Sequence, residues 1–475
     1  MKLYWFSPLP PAATDIAHFT TRVLPALSSR AEVTLWTEAA ARSPARAGVE
    51  HSLTRALSSL GDIRTFDPGT IDWIDLNRRD ACIYNIGNNP IFHGAIWRIA
   101  RRHAGIVILH DTRLHNFFDG LYRVQGRDLP GYLEAMNFYY GEDGVRNGAD
   151  CYRNEARNIN EMAAKYPLTE HALENSLGVV VHTEQAFAEL SERTARPVAY
   201  LPLPFAAPAA HRLAAGRRRP DDNQIYRLVM FGYIARNRRL EAVLQALHEM
   251  TERDRFHLDV FGKILDHEDR IKAQIRELGL KKLVTLHGFV PEEKLDEALS
   301  QADLAINLRY PTMGEASGSQ LRIWAHALPS LVTKVGWYAT LPANAVVHIR
   351  SDDTEPFAAS GTEPLSIASG WSNTSGSHLN EVADIRSALR AFLDNPSRFA
   401  AMGERGRKIL VERHSPETYA QGLIEFIEEA KLHRPRAAIF ALAERAGATA
   451  NQLLANTASD ETLTHTALQI RELVK

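Results

Sequence analysis

The sequence predicts an α/β protein built from two parallel-sheet domains. Short apolar runs rich in β-branched residues alternate with helical patterns, which is typical of a parallel sheet covered by helices. The alternation stops once, at a segment of weak periodicity, and then starts afresh. A chain of 475 residues is also too long for one hydrophobic core. We therefore expect two domains of similar size followed by a helical tail.

The first half contains the strand candidates of one sheet. They are LYWFS (3–7), EVTLW (32–36), ACIYNIG (81–87), GIVILHD (105–111) and GVVVHT (178–183), and the alternation breaks after VAYLPLP (198–204). Most are followed by a polar or glycine-bearing turn and then a helical pattern. Residues 115–175 are helical and rich in aromatic side chains, which indicates a helical insertion near the ligand-binding edge of the sheet.

The second half repeats the alternation. Its strand candidates are YRLVMFGYI (226–234), FHLDVFGK (256–263), LVTLHGFV (283–290), ADLAINLR (302–309) and SLVTKVG (330–336). The stretch SGWSNTSGSHLNE (369–381) reads as a flexible insertion, and apolar residues at three- and four-residue spacing then predict helices.

These patterns give the expected domain boundaries. The first domain covers 1–205, a linker rich in Ala, Pro and Arg covers 206–224, the second domain covers 225–415, and closing helices with a tail cover 416–475. From residue 434 the tail is a candidate amphipathic helix for packing or for homo-oligomer formation.

Composition narrows the class of protein. A net charge of -2 gives no electrostatic case for nucleic acid. Only Cys82 and Cys151 are present, far apart, so a disulfide framework is not expected and a reducing cytoplasm fits. The first residues lack the pattern of a signal peptide, and no apolar run could span a bilayer. The basic segment IWRIARRHAG (96–105) is either a solvated face or a peripheral contact with the inner face of a membrane.

Four turns at successive strand ends of the second domain are compatible with phosphate or base binding. Gly232 allows close backbone approach, and Arg236, Arg238 and Arg239 follow it before a helix, where the alternative is a set of solvated charges. Lys263 follows the next strand, and Phe289 with Val290 follows the third. The fourth turn, GEASGS, carries Glu315 and then Ala316, Ser317, Gly318 and Ser319 at a helix start, where backbone N–H groups bind anions.

The first domain offers fewer candidates. His110 and Asp111 end an apolar strand, where ligands of open sheets bind; the alternative for His110 is a buried structural histidine. Asp15, His18 and Asn88 are acceptor-side candidates or turn-forming polar residues. We interpret His182 as structural.

The order of these motifs resembles that of retaining GT-B glycosyltransferases. It runs FG-x5-R, GK, HGFVP and then GEASGS before an apolar helix, and SPLPPAATDIAHF, YNIGNNPIFHG and VILHDTRLHNFF match turns of the first domain. The closest resemblance is to bacterial nucleotide-sugar-dependent enzymes of the family 4-like, group 1 kind. It covers residues 1 to about 430.

The resemblance implies two facing Rossmann-like domains with a cleft between them and C-terminal helices that cross back. It implies a donor that is a nucleotide diphosphate-sugar, no further cofactor and no divalent metal. His110 and Glu315 would face the donor sugar, and the acceptor would be a glycan, a lipid-linked glycan or a protein. Glycan or polysaccharide assembly is the implied setting.

The sequence departs from this family at three places. The family loop has two glutamates with seven residues between them. Glu315 stands at or one place beyond the first, and Arg322 holds the position of the second. A guanidinium donates hydrogen bonds and accepts none, so it cannot replace a carboxylate that binds ribose hydroxyls. Tyr233 replaces the usual arginine after Gly232, and Thr14 and Asp15 replace paired glycines. Two alternatives therefore stay open: a nucleotide-sugar epimerase of the same fold, and a non-catalytic transferase-like partner subunit.

Overall fold

The computed structural model describes residues 1–10, 12, 14–38, 61–153, 159–207, 225–265, 267–351 and 379–432. The chain divides into two compact units. The first comprises Met1–Pro204, Met313–Ala316 and Pro416–Lys475, and the second comprises Phe205–Thr312 and Ser317–Ser415. Most of the expected linker, the expected insertion up to residue 378 and the expected tail helix lie outside the described residues. The end of the expected flexible insertion, 379–381, instead begins the helix Leu379–Asp394, in which Glu381 is buried.

The first unit is built on a seven-stranded parallel sheet of order β3-β2-β1-β4-β5-β6-β7. Its strands are β1 (Lys2–Phe6), β2 (Glu32–Glu38), β3 (Asp62–Phe66), β4 (Ala81–Ile86), β5 (Ile106–Leu109), β6 (Gly178–Val181) and β7 (Val198–Tyr200). The central strands β4, β5 and β6 are buried at every position, as expected for a sheet with helices on both faces.

Helices cover this sheet. They are α1 (Asp15–Ser28), α2 (Trp73–Leu76), α3 (Pro90–Ala100), α4 (His115–Asp119), a π-helix (Gly120–Gly126), α5 (Leu129–Arg153), α6 (Ile159–Lys165), α7 (Thr169–Ala172) and α8 (Glu184–Arg193). The segment between His115 and Ala172 is the helical insertion that the sequence predicts, and its aromatic residues join the core of the sheet.

The second unit has a six-stranded parallel sheet of order β10-β9-β8-β11-β12-β13. Its strands are β8 (Tyr226–Phe231), β9 (Phe256–Phe261), β10 (Val284–Gly288), β11 (Leu304–Asn307), β12 (Ser330–Thr333) and β13 (Val347–Ile349). Its helices are α9 (Leu240–His248), α10 (Glu268–Glu277), α11 (Glu292–Gln301), α12 (Gly318–Ala325), α13 (Gly336–Ala339), α14 (Leu379–Asp394) and α15 (Pro396–Arg413). Short 3₁₀ turns span Arg236–Arg238 and Arg253–Arg255.

The last described helix, α16 (Pro416–Leu432), belongs to the first unit and packs on α1 and β6. Gly178 at the start of β6 makes room for it, since an added Cβ would lie 2.8 Å from the Phe426 ring. Within the described ranges, none of the helices is both long enough and apolar enough to cross a membrane.

The sequence analysis missed three strands, β3, β7 and β13. All three are edge strands: β3 reads DIRTF with only Phe66 buried, β7 has three partly buried residues, and β13 has three residues with only Ile349 buried. None is the long buried run that marks a central parallel strand. Nine of the ten predicted strands end one to three residues before their predicted limits, and β2 extends two residues beyond its limit.

Candidate functional site

Three glycines align at the carboxyl edge of the second sheet. Gly232 follows β8 with φ of 107°, and Gly262 follows β9 with φ of 118°. Gly288 is the last residue of β10 and has φ of 66°. The Gly232 N–H donates to the Phe261 carbonyl at 3.0 Å, and the Gly262 N–H donates to the Gly288 carbonyl at 2.6 Å. A Cβ on Gly262 would lie 1.8 Å from the Gly232 oxygen. The backbones of these neighbouring turns therefore approach each other more closely than residues with a Cβ atom could.

Arg238 lies beside these glycine turns. Its side chain is buried, with 5% of the residue exposed, and one guanidinium nitrogen lies 3.0 Å from the position of a Cβ on Gly232. Nη1 donates to Asn307 Oδ1 at 2.8 Å, and Nη2 lies 3.4 Å from Ser319 Oγ. A guanidinium stays charged at any ordinary pH. The contact with Ser319 places this positive charge at the first turn of α12.

A polar network fixes Asn307 behind Arg238. Asn307 Nδ2 donates to Gln320 Oε1 at 3.0 Å, and Gln320 Nε2 donates to Ser330 Oγ at 2.8 Å. All three side chains are buried. Because each amide uses both its donor and its acceptor, the orientation of Asn307 is determined, and its oxygen must face Arg238.

Helix α12 begins with N–H groups that can bind an anion. Ser317 is the N-cap, and its Oγ accepts from the Gln320 N–H at 3.1 Å. The backbone N–H groups of Gly318 and Ser319 have no acceptor among the described residues. Glu315 is therefore not the cap of this helix, which removes one structural alternative for that carboxylate.

Four of the remaining predicted donor residues lie in the turns of the second unit, and Ala316 lies in the first unit. Arg236 and Lys263 have exposed side chains, Phe289 is 78% exposed, and Val290 is partly buried against the core beneath. Ala316 is partly exposed and groups with the first unit. An aromatic ring as exposed as that of Phe289 contributes little to the core and is available to a flat ligand.

Arg239 requires a correction. The sequence places it with Arg236 and Arg238 as a diphosphate ligand, but its guanidinium is bound to the fully buried carboxylate of Glu381, with Nη2 2.6 Å from Oε2. Arg239 also has a left-handed backbone, with φ of 59°, at the N-cap of α9. Its side chain therefore joins α9 to α14, and the adjacent Arg238 alone is turned to the glycine edge.

Arg322 is held by two carboxylates of α11. Nη1 lies 2.5 Å from Glu292 Oε2, and Nη2 lies 2.7 Å from Asp296 Oδ1. His326 Nε2 lies 3.1 Å from the same Asp296 oxygen. Burial raises the pKa of Asp296, but the hydrogen bond from His326 and the charge of Arg322 outweigh burial and hold that pKa below its usual value. Arg322 thus forms an ion-pair cluster with α11.

Glu315 belongs to a short loop that packs on the end of β5 within the first unit. The N–H groups of Thr112 and Arg113 both donate to the Met313 carbonyl, at 2.9 and 3.0 Å. Gly314 has φ of 83°, and a Cβ there would lie 1.9 Å from Thr112 Oγ1. Glu315 Oε2 accepts from the Met313 N–H at 2.7 Å. The structure therefore brings the loop of Glu315 to the turn that follows His110.

His110 itself is partly buried and packs against aromatic rings of the first unit. Its Nε2 lies 3.1 Å from Asn85 Oδ1, and its ring meets Phe19 edge-on at 4.7 Å and His182 at 5.0 Å between centroids. Burial, reinforced by the nearby His182 and His93, holds the pKa of His110 well below its usual value. The ring is therefore neutral at physiological pH.

The predicted acceptor residues divide into two groups. Asp111 Oδ2 accepts from the Asn88 N–H at 2.7 Å, and Asn88 Oδ1 accepts from the Phe117 N–H at 3.0 Å. These two residues therefore tie the turn after β4 to the turn after β5 and to α4. Asp15 and His18 lie on the first turn of α1, exposed and half-exposed respectively, behind the Thr14 cap.

Sequence reasoning missed Asn85, Asn307 and Gln320, which position His110 and Arg238. The available signal was an amide within or next to an otherwise apolar element: ACIYNI, LAIN and SQLRIWA. A buried amide must find hydrogen-bond partners, so its presence in such a run marks a constructed contact. Within the described ranges, no group of three or more His, Cys, Asp or Glu side chains is arranged to hold a metal ion.

Comparisons with known proteins agree with this geometry. Residues 217–322 match the family model described as glycosyl transferases group 1. No curated protein matches the sequence. Among solved structures, sucrose-phosphate synthase from Thermosynechococcus elongatus is 15% identical, with a TM-score of 0.57, over 90% of this chain and 98% of that one. Anabaena Alr3699/HepE in complex with UDP-glucose is 12% identical, with a TM-score of 0.54, over 90% of this chain and 100% of that one.

A glycosyltransferase from Rickettsia africae is 10% identical, with a TM-score of 0.55, over 90% of this chain and 98% of that one. Identities this low establish the shared fold, and the family match covers the glycine edge, Arg238 and the start of α12. The chain thus shares the GT-B fold of these glycosyltransferases, and its residues 217–322 match the glycosyl transferases group 1 model.

Proposed function

We propose that this enzyme transfers a sugar from a nucleotide diphosphate-sugar to a glycan, lipid-linked or protein acceptor, with retention of the anomeric configuration. The observation that carries the proposal is the contact between Arg238 and Ser319, which joins a buried cation to the open N–H groups of a helix start. A helix N-terminus beside a guanidinium is suited to a diphosphate.

The charges of the second unit match those that develop in the reaction. Breaking the bond between the sugar C1 and the phosphate oxygen leaves negative charge on the diphosphate and positive charge on the ring. Arg238, Arg236 and Lys263, with the N–H groups of Gly318 and Ser319, would stabilise the leaving diphosphate more than the intact donor. Cations and N–H groups in these positions would make a divalent metal unnecessary.

Proton transfer would involve the donor itself. In a retaining transfer of this type, the acceptor hydroxyl attacks C1 from the side that the diphosphate leaves, and its proton passes to the departing phosphate oxygen. Glu315 would accept hydrogen bonds from sugar hydroxyls and favour the developing ring charge. Phe289 and Val290 would contact the base.

The presence of Arg322 indicates that this protein would bind the ribose of the donor differently from the family it resembles. Its guanidinium is occupied by Asp296 and Glu292, so it offers no acceptor to a ribose diol. The base and sugar of the donor therefore do not follow from the family resemblance. Since the HepE structure is a complex with UDP-glucose, UDP and UDP-glucose are the first probes to use.

Calorimetric titration with UDP, GDP, ADP and CDP tests the proposal. We expect one nucleoside diphosphate to bind with a Kd of about 1–100 μM, and addition of EDTA to leave that Kd unchanged. Binding of none of them would contradict the donor assignment and favour the non-catalytic partner subunit.

Incubation with the matching nucleotide sugar and candidate acceptors then identifies the reaction. Release of the nucleoside diphosphate with an α-to-α or β-to-β product, assigned from the anomeric proton coupling, is the expected result. Conversion of the nucleotide sugar into its epimer without an acceptor would identify the epimerase alternative. Three further points remain predictions from the sequence. They are a role in polysaccharide assembly, a peripheral contact with a membrane and the formation of a homo-oligomer.

A further inference from the structure

Three histidines at the carboxyl edge of the first sheet each face an oxygen that fixes the ring proton. His93 Nδ1 lies 3.0 Å from the Asn85 carbonyl oxygen, and His182 Nδ1 lies 3.0 Å from the Leu201 carbonyl oxygen. A carbonyl oxygen only accepts hydrogen bonds, so both rings carry a proton on Nδ1. His110 differs, since its contact is with the Asn85 side chain through Nε2.

The orientation of the Asn85 amide is itself fixed by the backbone. Asn85 is fully buried, and its Nδ2 lies 3.0 Å from the Phe6 carbonyl oxygen. Because that oxygen can only accept, the NH₂ group must face Phe6, and the amide oxygen must face His110. An amide oxygen also only accepts, so His110 Nε2 carries the proton. The chain of donors and acceptors therefore determines the tautomer of His110 without reference to any hydrogen position.

The other ring nitrogen of His110 is then an acceptor. A neutral ring with its proton on Nε2 has a lone pair on Nδ1, and Nδ1 makes no hydrogen bond with the described residues. The neighbouring rings do not donate to it: Phe19 has no polar atom, and the proton of His182 is directed to Leu201. The residue is only partly buried.

We propose that Asn85 is a positioning residue that holds His110 as a neutral hydrogen-bond acceptor, so that Nδ1 receives a hydroxyl group of the sugar substrate. Asn85 acts through His110 and does not itself touch the substrate. This inference rests on the proposed function for the identity of the ligand, whereas the tautomer and the role of Asn85 do not depend on it.

Proton-detected NMR of the full-length protein labelled with ¹⁵N-histidine tests the tautomer directly. The His110 signals are assigned by their loss in His110→Gln. We expect the Nε2–H tautomer, unchanged between about pH 8 and about pH 6, since burial, reinforced by His182 and His93, disfavours a second proton on this ring. A proton on Nδ1, or protonation of both nitrogens in this range, would overturn the proposal. This measurement needs no substrate and no variant of Asn85.

Asn85→Asp and Asn85→Ala then test the positioning role. The carboxylate of Asn85→Asp would stabilise the protonated ring, so we expect the titration of His110 to move up towards neutral pH. Asn85→Ala removes the acceptor, so the two tautomers should interconvert and sugar transfer should fall by about ten- to a hundredfold. An unchanged His110 spectrum in both variants would refute the role of Asn85.

Asn77 supplies the matched control. Its Oδ1 lies 3.2 Å from His103 Nε2, which is the same type of amide–imidazole contact at an exposed position. Asn77→Ala should change the His103 signals and leave both the His110 signals and sugar transfer as in the parent protein. The nucleoside diphosphate titration separates the two proposals. If the parent protein binds no nucleoside diphosphate, the donor assignment is wrong, but the NMR result still decides the role of Asn85.

Discussion

The carboxyl ends of the two sheets present different chemistry. In the first unit, β4 carries the buried amide of Asn85, the rings of His93 and His110 lie beside it, and backbone carbonyls determine which atoms donate. In the second unit the corresponding turns are glycines with positive φ, a buried guanidinium and the open start of a helix. Two sheets of the same parallel type therefore end in different chemistry, which in our proposal serves hydroxyl groups on the first sheet and an anion on the second.

The difference follows from what each environment does to charge. Burial and the neighbouring histidines lower the pKa of His110. The imidazole at the edge of the first sheet is therefore uncharged. Burial cannot deprotonate Arg238 in the same way, because the pKa of a guanidinium is too high. Arg238 therefore stays charged while its guanidinium hydrogen-bonds Asn307 and Ser319.

The largest expected effect is on Glu315, the carboxylate at the end of the first unit's loop. Glu315→Gln can keep the hydrogen bond from the Met313 N–H while it removes the negative charge. We expect kcat to fall by about 100- to 1000-fold, because the charge would stabilise a transition state with positive character. The Kd of the nucleoside diphosphate, measured by calorimetry, should change less than about twofold, since the charge does not face the diphosphate.

Glu293→Gln is the control, because Glu293 is an exposed carboxylate on the first turn of α11. It should retain parent activity. Equal turnover of Glu315→Gln and the parent protein would show that the loop carboxylate has no part in the chemistry. The difference between the two sheet edges would then not explain catalysis.

Arg238→Ala should give the next largest effect, on binding. Loss of charge-assisted hydrogen bonds of about 1.5–3 kcal/mol corresponds to a Kd for the nucleoside diphosphate that is about 10- to 150-fold weaker. Isothermal titration measures this change. Arg238→Lys should recover only part of the affinity, because an ammonium group cannot contact Asn307, Ser319 and a phosphate with a planar fork.

Arg253→Ala provides a charge-matched control at the opposite, amino end of β9. It removes one positive charge from the same unit, so a purely long-range effect of net charge would weaken binding in both variants. If Arg238→Ala binds as tightly as Arg253→Ala, the diphosphate does not occupy the glycine edge.

The fold was predictable because parallel strands buried on both faces leave long apolar runs in the sequence. Ten of the thirteen strands described lie within or close to the predicted runs, and β3, β7 and β13 were missed because edge strands need not be apolar on both faces. The glycine turns were predictable too, since a positive φ restricts the residue type.

The contacts of the charged side chains were not predictable in this way. Arg238 and Arg239 are adjacent and identical in type, yet one faces Ser319 and the other binds Glu381, which is 142 positions further along the chain. The left-handed backbone of Arg239 turns its side chain away from that of Arg238. Likewise, the partners of Arg322 lie on α11, 26 and 30 positions away. Only the tertiary structure decides between such partners.

Phe289→Ala should give the smallest effect and sharpens the description of the second unit. An exposed ring that stacks on a nucleobase contributes about 0.5–1.5 kcal/mol, so we expect Kd for the nucleoside diphosphate to rise about 2- to 12-fold. Because the side chain is 78% exposed, the free energy of unfolding should stay within about 0.5 kcal/mol of the parent value. Calorimetry and denaturant titration measure the two quantities.

Inorganic pyrophosphate distinguishes base stacking from a general disturbance of the edge. It shares the diphosphate but has no base, so Phe289→Ala should leave its affinity unchanged, whereas Arg238→Ala should weaken it as much as it weakens the nucleotide. Phe187→Ala, at an exposed phenylalanine on α8 of the first unit, controls for the loss of a surface ring. Equal losses for pyrophosphate and nucleotide in Phe289→Ala would mean that the turn after β10 contacts the phosphates, and the base would have to bind elsewhere.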